Sequence, residues 1–498
     1  MADEFGDFQT PQELAANVCQ LLASRGISPA TVLEPTCGVG NFLLAALDRF
    51  SACECLGVEI NESYLEALKT SLRLRGSADR VRTIHHSFFT LDWPKTVLDL
   101  PDPLLVLGNP PWVTNSQLGT LGSKNLPAKS NFQGRVGLDA ITGKSNFDIS
   151  EWMLIQLLEL LRGRRGWLAV LCKTAVARKV LAHSWKYGIP FDWAEMRGFD
   201  AGKFFDAAVD ACLLVCSLSP TGGSKVCAVY PDFDVDVPSG VIGYFEGHLV
   251  ADVGAYERRR HMVGQSPYQW RSGVKHDCSK VMELRRESNG FRNGLGELVE
   301  LEGDYVFPML KSSELAGGRV TAPVRWMIVP QQRVGGDTKE IQSLAPNTWR
   351  YLVKHGEALD HRGSSIYRNK PRFSVFGVGD YTFSPWKVAI SGFYKRLNFS
   401  VVGSSAAKPI VLDDTGYFLP CQSGDEARYL ASLLNSPAAQ EFFSAFIFWD
   451  AKRPITVDLL RRLDLRVLAQ EAGSVDAFDS FSPRSPTVGK QRLGLFDY

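Results

Sequence analysis

Strand-like and helix-like segments alternate through the first 216 residues, and this alternation limits the possible folds more than any other feature of the chain. The strand-like segments are short apolar runs, whereas the segments between them repeat apolar residues at helical spacing. Alternation of this kind is typical of a parallel sheet covered by helices on both faces. We therefore predict a doubly wound, Rossmann-like α/β domain over residues 1–216. Its strands are expected at residues 31–33, 55–60, 81–85, 104–107, 167–172 and 211–216.

The pattern changes at residues 217–224, where serine, glycine and proline are concentrated as in many linkers. Residues 225–472 combine charged helical stretches with short aromatic strand-like runs, which indicates a second, α+β domain. The serine- and proline-rich residues 473–498 are expected to form a flexible tail. With 498 residues, the chain is long enough for each domain to have its own core.

Composition excludes several classes of protein. The formal net charge is +1, so nucleic-acid binding would require cations gathered on one face of the molecule. The ten cysteines lack the spacing of metal ligands, so we expect no metal site and the reduced thiols of a cytoplasmic protein. No segment reaches the roughly 18 apolar residues of a membrane span, and the acidic N-terminus does not resemble a signal peptide. We expect a cytoplasmic monomer that does not contact membranes.

A glycine-containing turn over residues 34–42 joins the first strand to a helix. In a doubly wound sheet such a turn lies where ligands bind, and Gly38 and Gly40 allow the backbone to approach a ligand closely. Glu59, at the end of the second strand, is placed to accept hydrogen bonds from ribose hydroxyls. The acidic Glu34 would repel a pyrophosphate. The turn therefore favours a sulfonium cofactor, S-adenosylmethionine, over a dinucleotide.

The fourth strand ends at the sequence Asn109-Pro110-Pro111-Trp112. The two prolines have no backbone N–H, so this turn cannot be part of a helix or an inner strand. The Asn109 side chain and the Pro110 carbonyl offer two acceptors for an exocyclic amine, and Trp112 offers a face on which a planar base can stack. Such acceptors localise the nitrogen lone pair and stabilise the positive charge that develops during attack on a methyl group. The turn indicates methylation of an amine on a planar group.

Taken together, these segments resemble the gamma class of N6-adenine DNA methyltransferases from restriction–modification or related defence systems. In that family a cofactor-helix motif, the glycine-rich loop, the catalytic turn and a C-terminal target-recognition domain follow in this order. Residues 8–11, 34–42 and 109–112 match the first three motifs. The resemblance implies methyl transfer from S-adenosylmethionine to N6 of adenine in a specific double-stranded DNA sequence, with base flipping. The sequence shows no constellation typical of a metal-dependent nuclease, so any restriction or defence nuclease would be a separate chain.

The resemblance assigns roles to individual residues. Residues of the motifs and strand ends would bind the cofactor: Thr10, Pro11, Glu34, Thr36, Cys37, Gly38, Gly40, Glu59, Ile60, Ser87, Phe88 and Asn109. The catalytic residues would be Asn109, Pro110, Pro111 and Trp112, and the target base would stack on Trp112 with Phe204 or Phe205. One departure is Ser87, where the family has an aspartate that contacts the cofactor adenine. Either Ser87 or Asp92 would make that contact here.

Cationic residues interleaved with hydroxyl and aromatic side chains occur at residues 361–372, with smaller groups at 258–260 and 394–396. Such clusters are typical of phosphate contacts. A long insert between Trp112 and Phe147 contains further lysines and is expected to act as a lid over DNA. The DNA-binding candidates are Lys144, Arg362, Arg368, Lys370 and Arg372.

Three alternatives stay open at the level of sequence. An RNA or protein-glutamine amino-methyltransferase can use an Asn-Pro-Pro-aromatic turn, because base amines and amides pose the same chemical problem. A cytosine-N4 DNA methyltransferase usually has serine in place of Asn109. A DNA-binding subunit with an inactive domain would not need to keep both Asn109 and Glu59. The large second domain and these two residues favour an adenine-specific enzyme.

Overall fold

The computed structural model describes residues 9–113 and 148–481 of the chain. The chain divides into two compact units, Met1–Val253 and Gly254–Tyr498, which we call the N-terminal and C-terminal units. Each unit has its own buried apolar cluster, as expected for independent cores. Within the described ranges, no helix has both the length and the apolar character needed to cross a membrane.

The N-terminal unit is built on one large mixed sheet. Its described strands are β1 (Thr31–Glu34), β2 (Glu54–Glu59), β3 (Val81–His85), β4 (Leu104–Gly108), β5 (Gly166–Lys173), β6 (Phe191–Phe199), β7 (Ala211–Leu218), β8 (Val226–Tyr230), β9 (Gly240–Phe245) and β10 (His248–Val250). They are ordered β10-β9-β8-β6-β7-β5-β4-β1-β2-β3. Strands β1 to β5 pair in parallel, and β7 runs antiparallel to both β5 and β6. The predicted doubly wound α/β fold is confirmed.

Helices precede and separate many of the strands of this sheet. They are α1 (Gln12–Ser24), α2 (Asn41–Arg49), α3 (Glu62–Arg75), α4 (Trp93–Val97), α5 (Ile149–Leu160), α6 (Thr174–Lys186) and α7 (Ala201–Phe205). Every residue of β1, β4 and β7 is buried, which explains why these strands are near-continuous apolar runs in the sequence. Strand β1 pairs with β2 on one side and with β4 on the other, so the order of the strands changes direction at β1. A crevice for a ligand is expected at the carboxyl ends of these strands.

The boundary between the units differs from the expected linker. Residues 217 and 218 complete β7, and β8 pairs with β6 in the same sheet, so that residues 226–250 extend the N-terminal unit. The serine- and glycine-rich segment is a chain reversal in which Gly222 N–H donates to the Ser219 carbonyl. Turns and linkers share this composition, because both need residues with few backbone restrictions.

The C-terminal unit is α+β, as predicted. Its described strands are β11 (Arg271–Ser272), β12 (Glu283–Glu287), β13 (Gly290–Asn293), β14 (Leu298–Val299), β15 (Val306–Leu310), β16 (Arg325–Ile328), β17 (Trp386–Ser391), β18 (Ser400–Val402), β19 (Ser404–Ser405), β20 (Lys408–Pro409), β21 (Val411–Leu412) and β22 (Gly416–Cys421). One sheet has the order β14-β13-β12-β16-β15-β21, a second β11-β22-β17-β18, and β19 pairs with β20.

Helices of this part of the chain lie mostly at its two ends. They are α8 (Val253–Arg259), α9 (Ser279–Met282), α10 (Ser312–Ala316), α11 (Ile341–Leu344), α12 (Pro346–Lys354), α13 (Gly356–Asp360), α14 (Gly424–Leu434), α15 (Pro437–Ser444), α16 (Val457–Leu460), α17 (Leu465–Glu471) and α18 (Val475–Phe481). Helix α18 occupies the beginning of the expected flexible tail, and its Phe478 is buried. The buried Phe478 and an ion pair of 2.8 Å between Asp479 and Arg466 attach this part of the tail to the unit. Residues 482–498 lie outside the described residues.

Candidate active site

A pocket that is open to solvent at its mouth lies at the carboxyl ends of β1, β2 and β4. Eleven of the residues predicted to bind the cofactor or to catalyse the reaction line it: Thr10, Glu34, Thr36, Cys37, Gly38, Glu59, Ile60, Phe88, Asn109, Pro110 and Pro111. Parallel strands end at the same edge of a sheet, so residues distant in sequence meet there. This pocket is the candidate active site.

Glu34 ends β1 and is only 3% exposed, although it lines the pocket. Burial raises the pKa of its carboxyl well above the ordinary value, the Leu43 backbone amide opposes this shift, and the charge of Glu59 adds to it. Within the described part of the chain, Glu34 Oε2 has no hydrogen-bond partner. A buried carboxyl in this state is stabilised as the charged form when a cation enters the pocket.

Glu59 ends β2 and fastens the glycine-rich loop to the neighbouring strand. Its Oε2 accepts a hydrogen bond of 2.8 Å from Gly38 N–H, and its Oε1 accepts one of 2.8 Å from Asn61 N–H. Glu59 also lines the pocket. The ribose-binding role expected for Glu59 stays a prediction.

The two glycines of the loop have different surroundings. Gly38 (φ +52°) lines the pocket beneath Gln9, whose Oε1 would lie 2.5 Å from a Cβ at position 38. Gly40 (φ +80°) precedes α2, and a Cβ there would lie 2.3 Å from Leu68 Cδ1 on α3. Gly40 is not part of the pocket lining, so its close approach is to a helix rather than to a ligand, contrary to the expectation.

The segment before α1 closes the pocket from the side of the loop. Gln9 Oε1 accepts a hydrogen bond of 3.2 Å from Val39 N–H, and Asn41 Nδ2 donates one of 2.7 Å to the Thr10 carbonyl. Pro11 immediately precedes α1 and does not line the pocket. Thr10 therefore lies where the resemblance predicts, while Gln9, next to it, was absent from the predicted cofactor contacts.

The Asn-Pro-Pro turn lies directly against Glu34. A Cβ at Gly108, the last residue of β4, would lie 3.5 Å from Glu34 Cγ. Asn109, Pro110 and Pro111 follow it along the wall of the pocket. The residues of the turn and Glu34 thus border the same pocket. This arrangement suits a cationic methyl donor next to an amine acceptor.

Comparisons with known proteins agree with this geometry. Residues 1–177 match the N-6 DNA Methylase family. The chain is 45% identical over 470 residues to the Type II methyltransferase M.NspV of Nostoc sp., covering 94% of this chain and 97% of that protein. The chain belongs to the N-6 DNA methylase family. It is a DNA methyltransferase that uses S-adenosylmethionine.

Two further comparisons describe how far the similarity extends. The methyltransferase is 28% identical over 118 residues to the Type II methyltransferase M.XamI of Xanthomonas campestris pv. amaranthicola, covering 24% of this chain and 21% of that protein. Its fold resembles that of the Type IIL restriction-modification enzyme MmeI, solved in complex with DNA, with a TM-score of 0.54 and 12% identity. That likeness covers 95% of this chain and 68% of MmeI, so the fold likeness is not limited to the N-terminal unit.

The residues of the methyltransferase pocket fit S-adenosylmethionine. Glu34 and Glu59 supply carboxyl groups, which can bind an ammonium group and hydroxyls, and Ile60 and Phe88 supply apolar surface. The Phe88 ring packs on Trp93 at a ring distance of 4.9 Å. Within the described residues, no cluster of side chains could hold a metal ion.

The contact expected from Ser87 or Asp92 is not supported by their positions. Ser87 Oγ accepts a hydrogen bond of 3.2 Å from Phe89 N–H, and Asp92 Oδ1 accepts one of 3.2 Å from Lys95 N–H at the start of α4. Neither residue lines the methyltransferase pocket, whereas several residues outside the predicted contacts do so, among them Asn61, Tyr64, His86 and Met153. The position of His86 immediately after β3 is the signal that could have identified it.

The aromatic residues expected to hold the target base pack against one another. Trp112 is 5% exposed, its Nε1–H donates to the Leu171 carbonyl at 3.3 Å, and its ring lies edge-on to Phe205 at 5.3 Å. Phe204 is partly exposed and packs on Phe199 at 6.4 Å. A base between Trp112 and Phe205 would require these two rings to separate, which makes Phe204 the more accessible face.

Arg362 of the C-terminal unit has a structural role instead of the expected phosphate contact. Its Nε–H donates to the Leu359 carbonyl and its Nη1–H to the Ser374 carbonyl, each at 2.7 Å. The guanidinium also stacks on Tyr367, 3.6 Å from the ring centre. A guanidinium that already donates to several backbone carbonyls has few hydrogens left for DNA.

Ion pairs occupy other cations that the sequence suggested for DNA. Arg372 pairs with Asp360 at 2.8 Å, and Arg258 pairs with Glu441 at 2.6 Å. Arg368 and Lys370 are exposed, and the described residues provide no ion-pair partner for either. Lys144 lies outside the described residues. Of the expected phosphate contacts, Arg368 and Lys370 are therefore the two that the structure leaves accessible.

Proposed function

We propose that this enzyme methylates N6 of adenine within a specific sequence of double-stranded DNA, after the target base has left the helix. The observation that carries the proposal is the Asn-Pro-Pro turn in the wall of the pocket that contains Glu34 and Glu59. An amine held by the turn would lie next to a methyl donor held by the two carboxyls. An exocyclic amine inside a duplex cannot reach such a pocket, so base flipping is required.

Glu34 and Glu59 hold the two ends of the cofactor in this proposal. Glu34 accepts hydrogen bonds from the ammonium group, because a buried carboxylate is strongly stabilised by a cationic donor. Glu59 accepts hydrogen bonds from the ribose hydroxyls while it keeps the Gly38 and Asn61 amides in place. S-adenosylmethionine supplies a methyl group on a positively charged sulfur. The residues orient that methyl group toward the turn.

Asn109 acts on the other reactant. Its side-chain oxygen and the Pro110 carbonyl accept the two hydrogens of the adenine amine, which localises the nitrogen lone pair toward the methyl group. As the nitrogen attacks, positive charge develops on it, and the same two oxygens stabilise that charge. Because both prolines lack N–H groups, no competing donor of the turn occupies these acceptors. Phe204 offers a partly exposed face on which the flipped base can stack, with Trp112 and Phe205 behind it.

DNA contacts are proposed for a strip of exposed cations on the C-terminal unit. The strip consists of Arg368, Lys370, Lys395, Arg396 and Lys452. All five side chains are exposed, and no ion pair among the described residues involves them. Unpaired cations are the groups that can release counterions from phosphates, because paired ones are already neutralised.

Direct contacts connect the three loops that bear the strip. The Tyr367 hydroxyl donates to the Lys275 carbonyl at 3.4 Å, and Lys275 Nζ lies 3.8 Å from Asp414 Oδ2. Arg453 Nη2 lies 3.8 Å from the same Asp414 oxygen, and its guanidinium stacks on Phe393 at 4.5 Å. The loops that contain Tyr367, Phe393 and Arg453 are therefore neighbours. This proximity supports a shared DNA-contacting role for the five cations.

The strip predicts a specific dependence of DNA binding on salt. Replacing Arg368 and Lys370 by alanine should lower the slope of log Kd against log salt by about 1.8, since each phosphate contact contributes about 0.9. Replacing Lys280 and Arg319, two cations of the same unit outside the strip, serves as the matched control. Fluorescence anisotropy between 50 and 200 mM salt (roughly the range in which such slopes are linear) measures the effect. An equal slope for wild type and the Arg368–Lys370 variant would contradict the assignment.

The proposal as a whole is tested by sequencing modified bases in DNA from cells that express the enzyme. N6-methyladenine at one recurrent sequence is the expected result. N4-methylcytosine at that sequence would show that the amine chemistry is right and the base wrong. Absence of both would contradict the proposal.

We further propose that the enzyme acts in the cytoplasm as a monomer, and that a separate nuclease cleaves the unmodified sequence. The Type II name of the Nostoc relative supports the restriction–modification context. Size-exclusion chromatography with light scattering tests the monomer. To test for a nuclease, cells are transformed with the neighbouring reading frames, either with or without the gene for this enzyme. A reading frame that is toxic only when the enzyme is missing would encode the nuclease.

A further inference from the structure

Neighbouring elements help to orient the catalytic turn. Pro110 and Pro111 have no N–H groups, so these two residues cannot donate backbone hydrogen bonds that would tie the turn to the strands beside it. Donors from other elements can make such attachments to the carbonyls of the turn. The end of β5 supplies them, because β5 is paired in parallel with β4 and extends beyond it at the same edge.

Lys173, the last residue of β5, donates from Nζ to the Trp112 carbonyl at 2.9 Å. Two residues earlier on the same strand, the Leu171 carbonyl accepts a hydrogen bond of 3.3 Å from Trp112 Nε1–H. Both the backbone and the side chain of Trp112 are thus attached to the end of β5. These two hydrogen bonds hold the residue that closes the Asn-Pro-Pro turn.

The Lys173 ammonium group also contacts Asp148, the residue that precedes helix α5. Lys173 Nζ lies 2.7 Å from Asp148 Oδ2, and the Asp148 side chain is 8% exposed. Asp148 Oδ1 accepts hydrogen bonds from Ser150 N–H and Ser150 Oγ–H, which caps the start of α5. The backbone of Ile149 adds a further attachment by donating to the Val113 carbonyl at 2.9 Å.

We propose that Lys173 is a positioning residue that sets the distance between the catalytic turn and the cofactor pocket. Helix α5, which it reaches through Asp148, lines that pocket with Ile149 and Met153. Lys173 therefore connects the side that holds the amine to the side that holds the methyl donor. This inference rests on the proposed function of the turn.

The ion pair also explains why a lysine can be placed here. Positive charge develops on the target nitrogen next to a cationic cofactor, so an isolated ammonium group nearby would raise the barrier. The Asp148 carboxylate compensates the Lys173 charge at 2.7 Å. The turn thereby receives a strong donor without a net charge beside the reacting atoms.

The test compares Lys173→Met and Lys173→Arg with Lys179→Met as the matched control. Lys179 Nζ lies 3.1 Å from Glu151 Oε2, so it joins α6 to α5 by a similar ion pair but does not contact the turn. Single-turnover methyl transfer, calorimetric cofactor binding and thermal unfolding are measured for each variant. Single-turnover conditions are needed because product release would otherwise hide the chemical step.

Lys173→Met should slow the single-turnover rate about 10- to 100-fold, since a displacement on the order of 1 Å at a reacting centre has effects of this size. Its cofactor Kd should stay within about threefold of wild type. Lys173→Arg should restore most of the rate, because a guanidinium can still donate to both oxygens. Lys179→Met should retain the wild-type rate.

Three results would overturn the inference. The first is a Lys173→Met rate within threefold of wild type, and the second is an equal loss in Lys179→Met. The third is a loss of rate in Lys173→Met that equals the unfolded fraction of that variant, with a loss of the same size in Lys173→Arg. Failure of the proposed function has a different signature, since the wild-type enzyme itself would then transfer no methyl group to adenine.

Discussion

Cofactor binding should release a proton from Glu34, and replacing this residue by glutamine should abolish that release. The carboxyl is 3% exposed, and burial raises its pKa well above the ordinary value. In the unliganded enzyme this carboxyl therefore holds its proton to higher pH than an exposed glutamate does. An ammonium group in the pocket favours the carboxylate, so the pKa falls on binding and the proton leaves.

The magnitude follows from the nature of the contact. Hydrogen bonds to a charged group contribute about 1.5–3 kcal/mol, and about 1.4 kcal/mol corresponds to a tenfold change in Kd. Glu34→Gln should therefore weaken cofactor binding roughly 10- to 150-fold. In wild type the affinity should rise with pH until the raised pKa of Glu34 is passed, and the variant should lose this dependence.

Calorimetry in two buffers with different ionisation enthalpies measures the protons released. Wild type should release up to one proton more than Glu34→Gln at the same pH, because only wild type has the titrating carboxyl. Glu59→Gln provides the comparison, since it should weaken binding while the proton release persists. Equal proton release in wild type and Glu34→Gln would refute the electrostatic account of this carboxyl.

Two other sites give predictions of the same kind. Burial lowers the pKa of Lys387 to about 7, so Lys387→Met should raise the free energy of unfolding at pH 7 by on the order of 3 kcal/mol. This gain in stability should shrink as pH rises toward 10, because the lysine of the unfolded chain then loses its proton as well. Urea titrations at pH 7 and pH 10 measure the free energy of unfolding. No gain at pH 7 would contradict the prediction. At the cofactor pocket, Ser87→Ala should change the calorimetric Kd less than about twofold, whereas Phe88→Ala should weaken binding on the order of tenfold through lost apolar contact. The reverse order would contradict the described pocket walls.

Strand ends explain why most of the pocket was predictable from sequence. Glu34, Glu59 and Asn109 each follow a short apolar run, and in a parallel sheet such positions converge regardless of the residues between them. The pattern of strands therefore located the site before any side-chain contact was known. The same reasoning could not distinguish Gly38 from Gly40, because the neighbour Leu68 belongs to a distant helix.

Features that depend on tertiary pairing were not predictable. Strand β6 was missed because it contains Glu195 and Arg197, two buried residues that pair with each other at 3.1 Å and interrupt the apolar run. Arg362 was assigned to DNA because its sequence neighbours are polar, yet its partners are backbone carbonyls brought close only by folding. A local sequence pattern gives only residue types, whereas the contacts of Glu195, Arg197 and Arg362 depend on which groups are brought together by folding.

The most direct test of the central claim is methyl transfer by wild type and Asn109→Ala, with the product identified by mass spectrometry of digested DNA. Wild type should form N6-methyladenine. Asn109→Ala should form at least about a hundredfold less, because loss of one group that stabilises transition-state charge costs about 10²–10³ in rate, and the base is also mispositioned. Its cofactor Kd should remain within about threefold of wild type. Retained N6-methyladenine formation by Asn109→Ala would contradict the proposed role of the turn.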